Sequence, residues 1–392
     1  MDTTTKHLRL WTRNFVQAYI SNFLLYTALY MLLPVLPFYI TGKYGISLTF
    51  SGLIMGLFAV SMFFFGPFYS YLIDVYKRKS VCMLSLLAVT SVFGGYIISG
   101  TLLWIIFLRI MQGAFFGVAS ALGSTVAIDI TTSKKRSESN VCFSWASRLG
   151  MVAGPMIGLF LYQYGVCTIF YASIVVGVLA FLFISMVYVP FRAPIGSCLC
   201  TIDRFILPKG WIASLNLILV SFSFGVLLVA INVYAQSVYQ QSFIIYFFAL
   251  MGGGFILAMI ANRLVFENAD IRSQIVSGLI LMGASLLLLI THTQFTAFLS
   301  AAVLMGLGLG LVASDFLLIF IKLSEHCQRG TANTTYFLSW ETGVAIGLIT
   351  GCYLIETQSS LVALQVCILT LLIASAFFLI FTNRHFHQNR KR

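Results

Sequence analysis

Twelve runs of roughly twenty apolar residues, parted by short polar loops, leave this chain few ways to fold. They cover about residues 14 to 40, 47 to 72, 80 to 99, 102 to 128, 140 to 162, 165 to 189, 211 to 236, 242 to 266, 272 to 291, 295 to 321, 331 to 355 and 359 to 382. Each run is long enough to cross a hydrocarbon core of about 30 Å as a helix. Composition agrees: 60% of residues are hydrophobic and 9% charged, with a mean hydropathy of +0.98, which no water-soluble globular chain approaches. Backbone groups in lipid must bond internally, and runs this long without polar alternation suit helices rather than the strands of a barrel. The expected fold is an all-α membrane protein with twelve transmembrane helices.

A formal charge of +12 invites a nucleic-acid reading, and its placement refutes it. The cations gather at the termini and in every second loop: Lys6 to Arg13, Lys77 to Lys79, Lys134 to Arg136, Arg192 to Lys209, Arg263 and Arg272, Lys322 and Arg329, Arg384 to Arg392. The opposite loops hold only Lys43. This positive-inside pattern puts both termini and the central loop in the cytoplasm. The first run follows basic residues but is too long for a signal-peptide core and lacks a small-residue cleavage site, so it is expected to stay as the first helix. Cys198 and Cys200 form a lone CxC in the central loop and read as ordinary thiols, because no second ligand pair accompanies them.

The chain repeats itself at an offset of 193 positions. Arg136, Asn140, Gly150, Gly154 and Gly158 recur as Arg329, Asn333, Gly343, Gly347 and Gly351, and Gly113 and Gly117 recur as Gly306 and Gly310. Asp74 falls on Glu267 and Lys79 on Arg272, while Arg148 falls on Glu341. Six runs per copy make the copies parallel, related by an axis along the membrane normal. The expected organisation is a six-helix bundle over 1–189, a linker over 190–210 with three prolines and no room for a soluble domain, and a second six-helix bundle over 211–392.

Four ionisable residues lie inside runs: Arg109, Arg148, Asp315 and Glu341. Each costs about 2.5 to 3.5 kcal/mol at a helix centre on insertion scales, so each is expected to face a cavity or a partner. Glu341 lies eight residues past Asn333, roughly 12 Å at 1.5 Å per residue, and Arg148 lies equally deep. The acid and base either face one another across the pseudo-twofold axis or bracket a ligand; rotation about each helix leaves both open. Movement of one relative to the other would bind and release a proton. Asp315, seven residues before Lys322, reads either as a gate in proton coupling or as an interfacial acid, the latter slightly favoured. Asn22, Tyr26 and Tyr30 share one helix face and point to a cavity or another helix. Pro34 and Pro37 mark a bend at the outer end of the first helix, a gate or a packing kink. Trp145, Tyr336 and Trp340 cluster near the Arg148 and Glu341 turns.

The loop S-Y-L-I-D-V-Y-K-R-K, Ser70 to Lys79, resembles the G-x-x-x-D-R-x-G-R-K motif of the major facilitator superfamily, with Asp74, Arg78 and Lys79 matching. Arg109, Gln112 and Gly113 resemble that family's R-x-x-Q-G-x-G pattern, although Phe115 stands in place of its last glycine and the next glycine is Gly117. Gly150, Gly154, Pro155 and Gly158 resemble the G-x-x-x-G-P-x-x-G stretch of its proton-driven antiporters; on their own terms these glycines form a helix-packing groove. The resemblance covers essentially the whole chain and implies two pseudo-symmetric six-helix bundles. It implies that Arg109 and Gln112 face the central cavity. It also implies that Asp74, at the start of the eleventh helix, and Glu267, at the start of the fifth, bias the inner gate together with Arg78, Lys79 and Arg272.

The function expected is secondary active transport, favouring proton-coupled export of a small amphipathic or charged organic compound; facilitated or proton-coupled uptake of a nutrient is the alternative. A receptor or scaffold gives no reason for Arg109, Arg148 and Glu341 inside the bilayer. An enzyme is disfavoured, since no Ser/His/Asp or metal cluster lies at membrane depth and all five histidines fall outside the runs. Substrate contacts are expected from Asn22, Tyr30, Arg109, Gln112, Trp145, Arg148, Tyr336, Trp340 and Glu341, and proton coupling from Glu341 and Asp315. No cofactor or metal is called for. The partners are a small-molecule substrate, protons and the lipid bilayer, not nucleic acid, with the chain acting as a monomer in a bacterial inner membrane.

Overall fold

The computed structural model describes residues 10–132, 135–190, 205–238, 243–264, 270–325 and 328–390, leaving aside the side chains of residues 70, 73, 74, 137, 263 and 264. Among them all regular secondary structure is helical. The helices are α1 (Arg13–Tyr30), α2 (Leu36–Tyr44), α3 (Leu48–Val75), α4 (Arg78–Ile97), α5 (Leu102–Asp129), α6 (Arg136–Tyr162) and α7 (Val166–Ser185). After the linker come α8 (Trp211–Val238), α9 (Ile244–Leu264), α10 (Ile271–Thr291), α11 (Phe295–Leu323), α12 (Arg329–Thr357), α13 (Ser360–Phe377) and α14 (Asn383–Asn389).

Ten of these, counting α13 and α14 with the π turn between them as one continuous helix, are long and apolar enough to span a membrane. Two of the twelve expected spans fall short for a physical reason. The first is divided: Pro34 has no N–H to continue the ladder, so a turn at Met31–Val35 separates α1 from α2. The other, α6, carries Arg136, Glu138, Asn140 and Arg148 among its apolar residues. Both spans keep much of that polar surface inside: Asn22, Tyr30, Asn140 and Arg148 are all buried, away from hydrocarbon.

The packing repeats as the sequence does. In the first half α1 lies against α6 and α7, α3 against α5, and α4 against α5 and α7. In the second, α8 lies against α12 and α13, α9 against α11, and α10 against α11 and α13. Across the middle α3 meets α12 and α6 meets α9, while α6 reaches α11 and α12 reaches α5. Each of these contacts has its counterpart under exchange of the halves, as a twofold relation between parallel copies requires. The glycine ladders draw helices together within each copy. A Cβ on Gly154 would sit 2.7 Å from the Tyr30 Cβ on α1, and one on its repeat equivalent Gly347 would sit 2.9 Å from the Val226 nitrogen on α8. Only hydrogen fits there, so α1 and α8 are drawn against α6 and α12. Those four helices place the polar residues of the spans at the centre. Apolar side chains such as Leu84, Ile280 and Leu372 are exposed on the periphery, where lipid takes the place of water.

Candidate functional site at the centre of the bundle

Four helices meet around two opposite charges. Glu341 projects from α12 and is 2% exposed; Arg148 projects from α6 and is 3% exposed. Each is held by the opposite half. The Tyr30 hydroxyl of α1 donates to both Glu341 oxygens, at 3.0 Å to Oε1 and 3.1 Å to Oε2. The Arg148 guanidinium lies over the Trp340 ring of α12, 3.7 Å from its centroid, with the Tyr336 ring at 5.0 Å. Desolvated cation–π contacts of this kind contribute about 2 kcal/mol, and an indole face accepts a guanidinium plane better than an ammonium.

Arg148 and Glu341 do not form an ion pair with each other. The ion pairs among the described residues are Arg78 with Asp129 and Lys135 with Glu138. Arg148 donates Nη1 to the Met151 sulfur at 3.0 Å, and its Nε and Nη2 have no hydrogen-bond partner among the described residues. Arg148 and Trp340 border a small cavity closed by Met151, Val152, Phe224, Phe255, Leu309 and Ala313, with room for about one water molecule. Acid and base are thus not paired with one another, and each is tied to the other's half.

The remaining expected residues divide. Trp145 joins the halves, donating Nε1 to Ser314 Oγ on α11 at 3.0 Å. Tyr336 donates to the Ala313 carbonyl at 2.7 Å and stands beside Arg148. Asn22 does not reach the centre as a free amide: it donates to Ser147 Oγ at 2.7 Å and to the Phe143 carbonyl, tying α1 to α6. Arg109 and Gln112 depart from the expected cavity position. Both are 0% exposed. Arg109 donates to Gln112 Oε1 at 2.8 Å and to the Met55 sulfur, with Tyr96 donating to the same Gln112 oxygen, so its contacts belong to α3, α4 and α5 of the first half. Asp315 is not an interfacial acid: it is 4% exposed beside Ser314, while Lys322 is exposed.

At the end of the bundle that carries the linker, Arg78 pairs with Asp129 at 2.5 Å, tying α4 to α5. Lys79 is half-buried and Arg272 exposed at the start of α10. The Asp74 side chain, Glu267, Cys198 and Cys200 lie outside the described residues. Two further contacts escaped the sequence. Phe205 of the linker is buried between α3 and α12, its ring against Phe63, Tyr69 and Gly66, while the Leu207 N–H donates to Thr335 Oγ1 at 2.8 Å. An apolar triplet, Phe205 to Leu207, just before Pro208 was the available signal. At the far end Glu356, on the last turn of α12, accepts from the Thr49 N–H at 2.7 Å and from its hydroxyl at 2.5 Å. Thr49 lies in the first turn of α3, where unpaired N–H groups attract a carboxylate. The α3–α12 seam is thus closed at both ends.

Comparison with known proteins places the fold in a family. The family model described as Major Facilitator Superfamily matches residues 18–269, well over half of the chain. The chain belongs to the Major Facilitator Superfamily. Its members are transporters rather than enzymes. The chain is 28% identical over 165 residues to the multi-drug resistance efflux pump PmrA of Streptococcus pneumoniae, 41% of each chain. It is 27% identical over 177 residues to the class E tetracycline resistance protein of Escherichia coli, 43% of this chain and 42% of that one. The match therefore spans about two fifths of the length of these relatives. Among solved structures, the human organic anion transporter MFSD10 superposes with a TM-score of 0.68 at 16% identity, over 93% of this chain and 98% of that one. The nucleoside transporter NupG superposes with a TM-score of 0.71 at 12% identity, over 94% of this chain and 100% of that one. Both share the superfamily's twelve-helix fold.

Proposed function

We propose that this protein is a proton-coupled exporter of small amphipathic or charged organic compounds, working by rocker-switch alternating access. Residues 1–189 and 211–392 are the two moving halves and 190–210 the cytoplasmic linker, with both termini on the same side of a bacterial inner membrane. One observation carries the reading: the acid of the second half is held by a tyrosine of the first, and the base of the first by a tryptophan of the second. Rocking the halves apart must break both contacts, so the state of charge at the centre is coupled to the equilibrium between conformations. An ionised carboxylate accepts hydrogen bonds at both oxygens, whereas a protonated one turns one oxygen into a donor. Gain of a proton by Glu341 therefore weakens its tie to Tyr30 and eases the halves apart. Similarity to efflux pumps and to the antiporter glycine–proline stretch of α6 supports the outward direction.

In this reading Tyr30, Trp145, Arg148, Tyr336, Trp340 and Glu341 surround the substrate, with Glu341 exchanging the proton, while Asp74, Arg78, Lys79, Glu267 and Arg272 bias the cytoplasmic gate. The test is transport by the full chain in everted vesicles carrying a pH probe. Addition of an exported compound should collapse an imposed proton gradient, and Glu341→Gln should keep substrate exchange while losing its dependence on that gradient. Acidification together with uptake would reverse the direction, and coupling unchanged in Glu341→Gln would remove the acid from the mechanism.

A further inference from the structure

A second cavity, of about 150 Å³, opens at the far end between the halves, lined by Val35, Phe38, Tyr162, Asn232, Val233 and Gln236. We propose that it is a binding subsite for one uncharged aromatic ring bearing a hydrogen-bond acceptor. An apolar protein cavity of about 150 Å³ holds one benzene ring, and drug-sized ligands need roughly 300 Å³ or more. Size therefore restricts the occupant to a ring or a ring-sized part of a larger compound. The walls carry no formal charge, so an ion entering would give up hydration without a counter-charge.

The break in the first span makes the space. Val35 closes the turn between α1 and α2 and Phe38 follows one turn later, so their side chains form one wall while α8 forms the other. On α8, Asn232 and Gln236 stand four residues apart on one face. Asn232 is 6% exposed, and its Oδ1 accepts from Gln236 Nε2 at 3.4 Å. That bond leaves Asn232 Nδ2 as a buried donor, and Tyr162 adds a hydroxyl to the lining, so a carbonyl is the acceptor group these donors match. Gln236, exposed, forms the rim.

The subsite rests on the reading that compounds pass between the halves, and its test is kept apart from proton coupling. Binding of benzamide, benzoate and benzylammonium to the full-length protein in detergent would be measured by ligand-observed magnetic resonance and competition. Benzamide is expected to bind at least ten-fold more tightly than either charged match. Asn232→Asp keeps the volume and exchanges the donor for an acceptor, and should weaken benzamide at least ten-fold. Val35→Phe fills the cavity and should abolish binding, while Glu341→Gln should leave it unchanged. Absence of a benzamide preference, retention in both Asn232→Asp and Val35→Phe, or loss in Glu341→Gln each overturns the subsite. A subsite lost while gradient dependence still responds to Glu341→Gln would leave the proposed coupling standing, and the converse would leave the subsite.

Discussion

Arg148 has its charge placed on an aromatic face rather than on an acid, and that choice sets what its neighbours tolerate. A buried cation whose partners are Trp340, Tyr336 and a thioether depends on the negative faces of the ring quadrupoles for most of its compensation. Trp340→Leu removes the best face and leaves the guanidinium desolvated, so it should lower stability by about 2 kcal/mol, read as a drop in the thermal midpoint of the detergent-solubilised protein. Trp340→Phe keeps a smaller face and should lie between that and wild type. Removing both charge and ring in Arg148→Met with Trp340→Leu should recover part of the loss, since an uncompensated buried charge costs more than none. The sequence disclosed this pair through expense alone: a charge within an apolar run needs a reason, and matched depth came from counting residues. The rotation of each helix about its axis was not encoded in spacing. Arg109 is as expensive as Arg148 and yet turns into its own half, because Met55, Tyr96 and Gln112 form the polar pocket there.

Eleven of the twelve apolar runs each form one helical span, since hydrocarbon allows a backbone little else, whereas the first, expected as one helix bent near Pro34 and Pro37, is divided into α1 and α2 by the turn at Met31–Val35. Helix contacts follow from the glycine rows. Gly154→Leu and Gly347→Leu should each force α1 from α6 or α8 from α12, because the close neighbours include backbone atoms that cannot step aside. The expected outcome is loss of the monodisperse peak in size-exclusion chromatography for both, whereas Gly253→Leu, with nothing within 4 Å of its Cβ position, should elute as wild type. The far-end contact of Glu356 was illegible, since a helix-end acid has no visible reason to choose the start of a helix some 300 positions earlier. Its two bonds to Thr49 join the last turn of α12 to the first turn of α3, so Glu356→Ala should free that end. Spin labels at Ser47 and Gln358 should then report a longer and broader distance distribution than in wild type, and an unchanged distribution would show that the close packing of Gly52 and Gly56 of α3 on Ile349 and Cys352 of α12 closes the end by itself.

At the scale of the whole molecule, the repeat at 193 positions predicts the architecture because two parallel copies with the same packing rules have one economical way to meet. It cannot predict what lies off the symmetry. The linker has no counterpart in either half, and its placement depends on surfaces of α3 and α12 that exist only after both halves have folded. Phe205 and Leu207 enter between those helices where Gly66 leaves space for a ring and Thr335 offers an oxygen to a backbone N–H, so in this structure the linker end is closed by a wedge between the halves. If the halves rock as proposed, opening this end should expel Phe205, and the aromatic area returned to solvent would count against opening. Phe205→Ala should therefore shift the resting population toward the state open at the linker end. With spin labels at Tyr76 and Arg329, that shift appears as growth of a longer distance, while Ser47 and Gln358 keep theirs or draw closer. If the linker were merely a tether, the substitution would leave both distributions as they are. Phe205→Trp would then be equally silent, whereas a wedge made larger should either tighten the closed state or fail to seat and mimic the alanine.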